Sequence, residues 1–100
     1  YLQRIGIDVP EGVLIARVVK GASADQAGLI GATKTVKVGN YKIPWGGDII
    51  THINQTKVTT MEDLAQQIET RRSGDVIIIK LIRNDSVQSI KVKLFLRPRP

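Results

Sequence analysis

The hydrophobic period changes several times along this chain, and each change marks an element. Residues 13–19 (Val-Leu-Ile-Ala-Arg-Val-Val) are short, apolar and β-branched, bounded by Pro10-Glu11-Gly12 and Lys20-Gly21. This predicts a buried strand. Ser23 then heads Ala24-Asp25-Gln26-Ala27-Gly28. A serine cap, small helix formers and a closing glycine predict a helix of about two turns. Leu29 and Ile30 should tuck beneath it. Residues 33–38 alternate weakly, Gly39-Asn40 is a two-residue turn signal, and 41–43 resume extended structure. That predicts a small hairpin. Pro44, the lone Trp45 and Gly46-Gly47 predict a sharp bend after it.

Residues 48–53 (Asp-Ile-Ile-Thr-His-Ile) read as the next strand, with Asn54-Gln55 as its turn and Val58 as a single contact. The stretch 61–69 then takes the helical period, with Met61, Leu64, Ala65 and Ile68 on one stripe. Thr60 with Asp63 three residues later resembles a capping box. Glu62 and Asp63 in the first turn and Arg71-Arg72 at the far end suit the helix dipole, and Gly74 is the stop. Residues 76–83 are nearly all apolar. Lys80 breaks one parity, so Ile77, Ile79 and Leu81 should form the better-buried face. Asn84-Asp85 is a hairpin turn. Ile90, Val92, Leu94 and Leu96 then alternate with Lys91 and Lys93, which should face water. Arg97-Pro98-Arg99-Pro100 cannot continue a sheet and reads as the start of a linker. The order is strand, short helix, hairpin, strand, longer helix, strand pair. It predicts an α+β fold: a partly closed antiparallel β-sandwich or barrel capped by one short and one longer helix.

Composition narrows the chemistry more than the fold. At 100 residues, 42% hydrophobic and 24% charged, the chain suits one modest core and argues against disorder. No apolar run approaches the roughly 20 residues of a membrane-spanning helix. The absence of cysteine excludes disulfides, thiolate metal sites and a cysteine nucleophile within this chain. The single histidine, His52, excludes a two-histidine metal site, and it reads as a structural strand residue. Asp48 reads as a strand-start carboxylate bonding backbone N–H groups; no acidic cluster accompanies it. No cofactor is implied. Fifteen Lys plus Arg against nine Asp plus Glu give +6, which favours acidic partners. The basic residues are scattered, however, and aromatic residues are 4% of the chain. Nucleic-acid binding is therefore not expected. The chain opens abruptly at Tyr1-Leu2-Gln3, without a secretory leader, and reads as a piece of something longer.

Three stretches together resemble a PDZ domain: residues 12–29, ending in Ala27-Gly28-Leu29; Gly47-Asp48-Ile49-Ile50 through Ile53-Asn54; and Gly74-Asp75 running into 76–83. The first departs from the usual Gly-Ser-Pro-Ala by reading Gly21-Ala22-Ser23-Ala24, and the usual Asn-Gly turn is Asn54-Gln55. The insertion at 31–46 and the finish near Leu96 are similar to the PDZ modules of HtrA/Deg-type serine proteases. The resemblance implies a single PDZ domain over 1–96, with 97–100 beginning a linker or tail. It also implies an upstream trypsin-like protease domain and a place in the periplasm or cell envelope, in protein quality control. No Gly-Asn-Ser-Gly-Gly loop occurs, so this chain should hold no catalytic residue.

The implied activity is peptide binding. An extended segment with an apolar C-terminus pairs with a strand edge, a helix forms the facing wall, and a glycine-containing loop receives the carboxylate. By resemblance Met61, Ala65 and Ile68 face the groove and Leu64 packs inward; the alternative is that all four are core. Arg4-Ile5-Gly6-Ile7 matches the carboxylate-loop pattern, making Ile5, Gly6 and Ile7 candidate ligand residues. Only five residues then separate it from the next strand. The other reading makes 1–5 the tail of a helix capped by Gly6, with the ligand loop and first strand upstream. A different class of function stays open beside peptide binding: a structural module that docks a neighbouring domain or subunit.

Overall fold

A computed structural model describes residues 6–95. Eight strands and two helices follow in the order β1 (Gly6–Val9), β2 (Gly12–Ile15), α1 (Ser23–Gln26), β3 (Lys34–Val38), β4 (Tyr41–Trp45), β5 (Ile49–Ile53), β6 (Thr56–Lys57), α2 (Met61–Glu69), β7 (Val76–Arg83) and β8 (Ser86–Lys93). The main sheet runs β1-β2-β5-β7-β8, with β6 paired to β5, and every pairing is antiparallel. It does not close into a barrel. β3 and β4 form a sheet of their own.

The core is the face predicted from the alternation. Ile77, Ile79 and Leu81 of β7 are buried, as are Val92 and Leu94, while Lys91 and Lys93 are exposed. Val13 and Ile15 of β2, Ile50 and Ile53 of β5, Leu29 and Val58 complete it. β7 and β8 pair along their whole length, from Val76↔Lys93 to Arg83↔Ser86. Their turn holds Asn84 and Asp85 at φ 52 and 63. Both residue types tolerate that left-handed conformation, which a two-residue hairpin of this hand needs.

Several expectations shift. The strand expected over 13–19 stops at Ile15. Beyond it, the carbonyl of Ala16 is taken by the N–H of Ala32, and Val19 is half exposed. The first helix is one turn, not two, with Ala22 at its N-cap position. Ser23 does not cap it. Its hydroxyl accepts the Phe95 N–H at 2.7 Å, pinning the segment after β8. The second helix ends at Glu69, so Arg71 and Arg72 lie beyond its last turn. Arg71 still serves the helix end, its Nε donating to the Gln67 carbonyl at 3.2 Å. Val58 is preceded by a short strand, β6, that the sequence did not announce. Leu96 and the expected linker lie outside the described residues.

The strand start at Asp48 is the most connected point of the fold. Asp48 is 1% exposed. Its carboxylate accepts Arg83 Nε at 2.8 Å, Arg83 Nη2 at 2.6 Å and the Ile30 N–H at 2.9 Å. Its backbone N–H donates to Ile30 O and its C=O accepts from Ile15 N–H, both at 2.8 Å. Arg83 Nη2 also donates to the Gly28 carbonyl at 3.0 Å. The carboxylate thus fastens β7 to the turn after α1, and the backbone of the same residue ties in the end of β2. Its hydrogen bonds push the Arg83 guanidinium still further above its ordinary value.

Candidate functional site

The site begins with how α2 is started. Thr60 Oγ1 accepts the Asp63 N–H at 3.1 Å, as the capping pattern predicts. The Asp63 carboxylate reaches back past Thr60 to Thr59, accepting its hydroxyl at 2.7 Å and its N–H at 3.0 Å. A further acceptor comes from another element. Asp8 Oδ1 of β1 takes the Met61 N–H at 2.8 Å, which ties the edge strand to the first turn of the helix. Free N–H groups at a helix start need such partners, and the Thr60 hydroxyl and the Asp8 carboxylate supply two of them here.

Hydrogen bonds from Thr59 and Thr60 hold the Asp63 carboxyl below the usual carboxylate range, the Thr59 hydroxyl contributing most. The folded value lies below the unfolded one. This stabilisation is therefore present above the unfolded pKa and lost as pH falls through the folded value. An NMR titration should find Asp63 protonating at lower pH than a free aspartate, and Thr59→Val should move its midpoint upward. An unmoved midpoint in that variant would remove the Thr59 hydroxyl as the cause.

An open apolar trough of about 460 Å³ lies between α2 and the sheet. Met61, Leu64, Ala65 and Ile68 form its helical wall, and Gly6, Val13 and Ile15 contribute from β1 and β2. Ile50, Ile77 and Ile79 of the core line it too, with Glu69 and Phe95. All four stripe residues of α2 are only half buried. A stripe wholly absorbed by the core would be covered. Gly6 is required by space: a Cβ there would lie 2.6 Å from Met61 Sδ and 2.7 Å from Val13 Cγ1. β1 passes this close to the helix because it has no side chain at that point.

The three helix positions singled out in the sequence, Met61, Ala65 and Ile68, are brought together on this trough. Leu64 packs against the core as expected, as do Met61 and Ile68, and it lines the trough too, because i and i+3 neighbours share a face. Gly6 borders it too. Ile7 is in β1, opposite Leu14. Ile5 and Arg4, and the helix tail expected over 1–5, lie outside the described residues. Gly6 itself opens strand β1. The five residues that looked too few for a strand and its return suffice, because β1 turns into β2 through Pro10-Glu11 alone, pairing Val9↔Gly12 to Gly6↔Ile15. Asp8 is the site residue that sequence reasoning missed. Its only signal was a carboxylate on an edge strand, which says nothing of a helix 53 positions away.

β1 is the margin of the main sheet and, among the described residues, pairs with β2 alone. His52 lies away from the trough, its Nδ1 2.9 Å from Thr51 Oγ1. Among the described residues no cluster of three or more His, Asp or Glu is arranged to hold a metal ion. No helix among them is long and apolar enough to cross a membrane. What the trough offers is shape and apolar surface beside an unpaired strand edge.

Comparison with known proteins agrees with this fold. Over 99 residues the chain is 31% identical to Protease Do-like 1, chloroplastic, of Arabidopsis thaliana, covering 99% of this chain and 20% of that protein. It thus spans about a fifth of that relative's length. Among solved structures, the HtrA-type protease AlgW with a decapeptide superposes at a TM-score of 0.69, with 23% identity over 90% of this chain and 23% of that one. An aminopeptidase N family protein from Idiomarina loihiensis shares the fold at 0.65, with 20% identity over 90% of this chain and 13% of its own. The profile of the PDZ domain matches residues 4–94, and the chain belongs to the PDZ domain family, similar to the modules of HtrA-type proteases.

Proposed function

We propose that the trough beside α2 binds an extended peptide with an apolar C-terminus, which adds to the β1 margin as a further strand. The half-buried apolar stripe of α2 facing an unpaired edge carries this reading. Backbone pairing supplies affinity irrespective of sequence, and alternate side chains enter the trough. Met61, Ala65 and Ile68 read those side chains, the flexible thioether accepting varied shapes. Gly6 and Ile7, with Ile5 before them, are the candidates for receiving the terminal carboxylate through backbone N–H groups. The longer protein is read as a serine endopeptidase whose protease domain this module feeds or regulates. Support comes from the likeness to Protease Do-like 1 and from the decapeptide accompanying the HtrA-type structure. The expected envelope location stands beside one relative named as chloroplastic.

The test is a titration of fluorescent decapeptides ending in Val or Leu, each with a free and an amidated C-terminus. A short added strand buries little area, so dissociation constants of about 10–500 μM are expected. Ile68→Asp places a carboxylate in the trough and should weaken binding about tenfold or more. The amide should bind more weakly than the acid. If no apolar C-terminus binds, with or without about 30 further upstream residues, the peptide reading fails. Assembly of the intact protein through this domain would then take its place.

A further inference from the structure

We propose that the β3–β4 hairpin is a second docking surface, which takes an extended segment of a partner protein that alternates acidic and apolar residues and joins the outer edge of β3 as a third strand. Among the described residues the hairpin is a two-stranded sheet with no strand on either outer edge. Two strands alone are marginal in water and gain from a third. Its register divides it into two unlike faces. Lys34, Val36, Tyr41 and Trp45 share one face; Thr35, Lys37 and Lys42 share the other. On the first, Val36 is 38% exposed, Trp45 44% and Tyr41 76%. Exposed Trp and Tyr together are what binding hot spots are made of.

The second face has the opposite need. Lys37 and Lys42 stand directly across from one another, and like charges so placed oppose pairing. No acidic residue occurs anywhere from 26 to 47. A carboxylate laid beside Lys37 would relieve that repulsion. The chain does not supply it locally, and a second copy, carrying the same lysines and a net charge of +6, would add to the repulsion. The edge is also chosen. Residue 44 in β4 is proline, with no N–H to offer an incoming strand. The Gly39-Asn40 turn makes Val38↔Tyr41 the closing bonded pair, so alternation leaves the N–H groups of Thr35 and Lys37 facing outward. An added strand on β3 therefore lies beside Lys34 and Val36 at one parity and Thr35 and Lys37 at the other, and the occupant alternates to set an apolar residue against Val36 and a carboxylate against Lys37. Nothing in this depends on the α2 trough.

Trp45 is the only tryptophan, so its emission reports this face and no other. The probe is acetyl-Glu-Val-Glu-Ile-Glu-Val-Glu-amide, its blocked ends keeping it from any carboxylate-receiving loop. Its control is the block isomer acetyl-Val-Val-Ile-Glu-Glu-Glu-Glu-amide. The alternating peptide should shift Trp45 emission to the blue and saturate, with the isomer about tenfold weaker or more. Lys37→Glu with Lys42→Glu should lower affinity about tenfold. Thr35→Pro removes one outward N–H without touching the hairpin's own ladder. It should abolish the shift and leave the thermal midpoint of the core unchanged. Equal response to both isomers, or full binding by Thr35→Pro, overturns the proposal. So does a shift with vesicles of roughly one part phosphatidylserine in four when the peptide gives none, which would mark a lipid-facing surface. A blue shift that grows with protein concentration alone would mark self-association and overturns it equally.

Discussion

Asp48→Ala is expected to lower folding stability by about 3 kcal/mol, read as a shift of the urea midpoint at unchanged slope. The loss has several sources. The Arg83 guanidinium, with 22% of its side chain exposed, loses the partner of two charge-assisted hydrogen bonds. The Ile30 N–H loses its acceptor. The methyl group left behind cannot fill the space. Because Arg83 can still reach water at its edge, the figure sits at the low end of what breaking a buried pair costs. Arg83→Lys keeps the charge but gives up the two-pronged grip, so about 1–2 kcal/mol is expected there. A fall of less than about 1 kcal/mol for Asp48→Ala would mean that Arg83 re-pairs elsewhere.

Gly12→Val should be nearly as damaging, for a different reason. Gly12 opens β2 at φ +157, and any Cβ there would run into the backbone carbonyl of Ile50 and lie 3.2 Å from that of Val58. Backbone on a neighbouring strand cannot move aside as a side-chain tip can. About 3 kcal/mol is expected, from strain plus displaced packing. β1 should detach with it, because Val9↔Gly12 closes that hairpin. The Met61 amide would then lose Asp8, and its hydrogen exchange should rise more than that of Leu81. Gly74→Ala is the comparison. It has positive φ, +96, but open space around the added Cβ, so only the backbone preference, about 1 kcal/mol, is at stake. If the two variants lose the same amount, close approach at Gly12 is not the cause.

How much of this was legible depends on the range of the forces involved. The alternation in β7 and β8 named the buried face correctly, because a sheet with one covered side imposes period two residue by residue. The turns at Gly39-Asn40 and Asn84-Asp85 were legible for the same local reason. The stripe Met61, Leu64, Ala65 and Ile68 fixed which side of α2 turns toward the sheet, but not whether that side was covered; coverage is a property of the neighbours. The misjudged ends share one feature. Ser23 looked like a cap and instead holds the Phe95 amide, 72 residues away. Asp48 was recognised as a backbone-bonding carboxylate, yet its strongest partner, Arg83, lies 35 residues on. β6 escaped notice because Thr56–Lys57 is too short to show a period and is defined only by its partner, β5. Residues whose side chains serve a distant segment carry no local mark of it.

The fastening between Asp8 and Met61 fixes one end of the trough's helical wall. Everything that braces α2 against the edge strand, the Asp8 carboxylate together with the Thr59–Thr60–Asp63 knot, gathers at the first turn. The other end of the helix is held as well: Ile68 packs against the core, and just past Glu69 the Gly74 N–H donates to the Leu94 carbonyl at 2.7 Å while the Leu94 N–H donates to the Asp75 carbonyl at 2.9 Å. The helix is thus a beam clamped at both supports, and the width of the gap beside it is set by the sheet to which those supports belong.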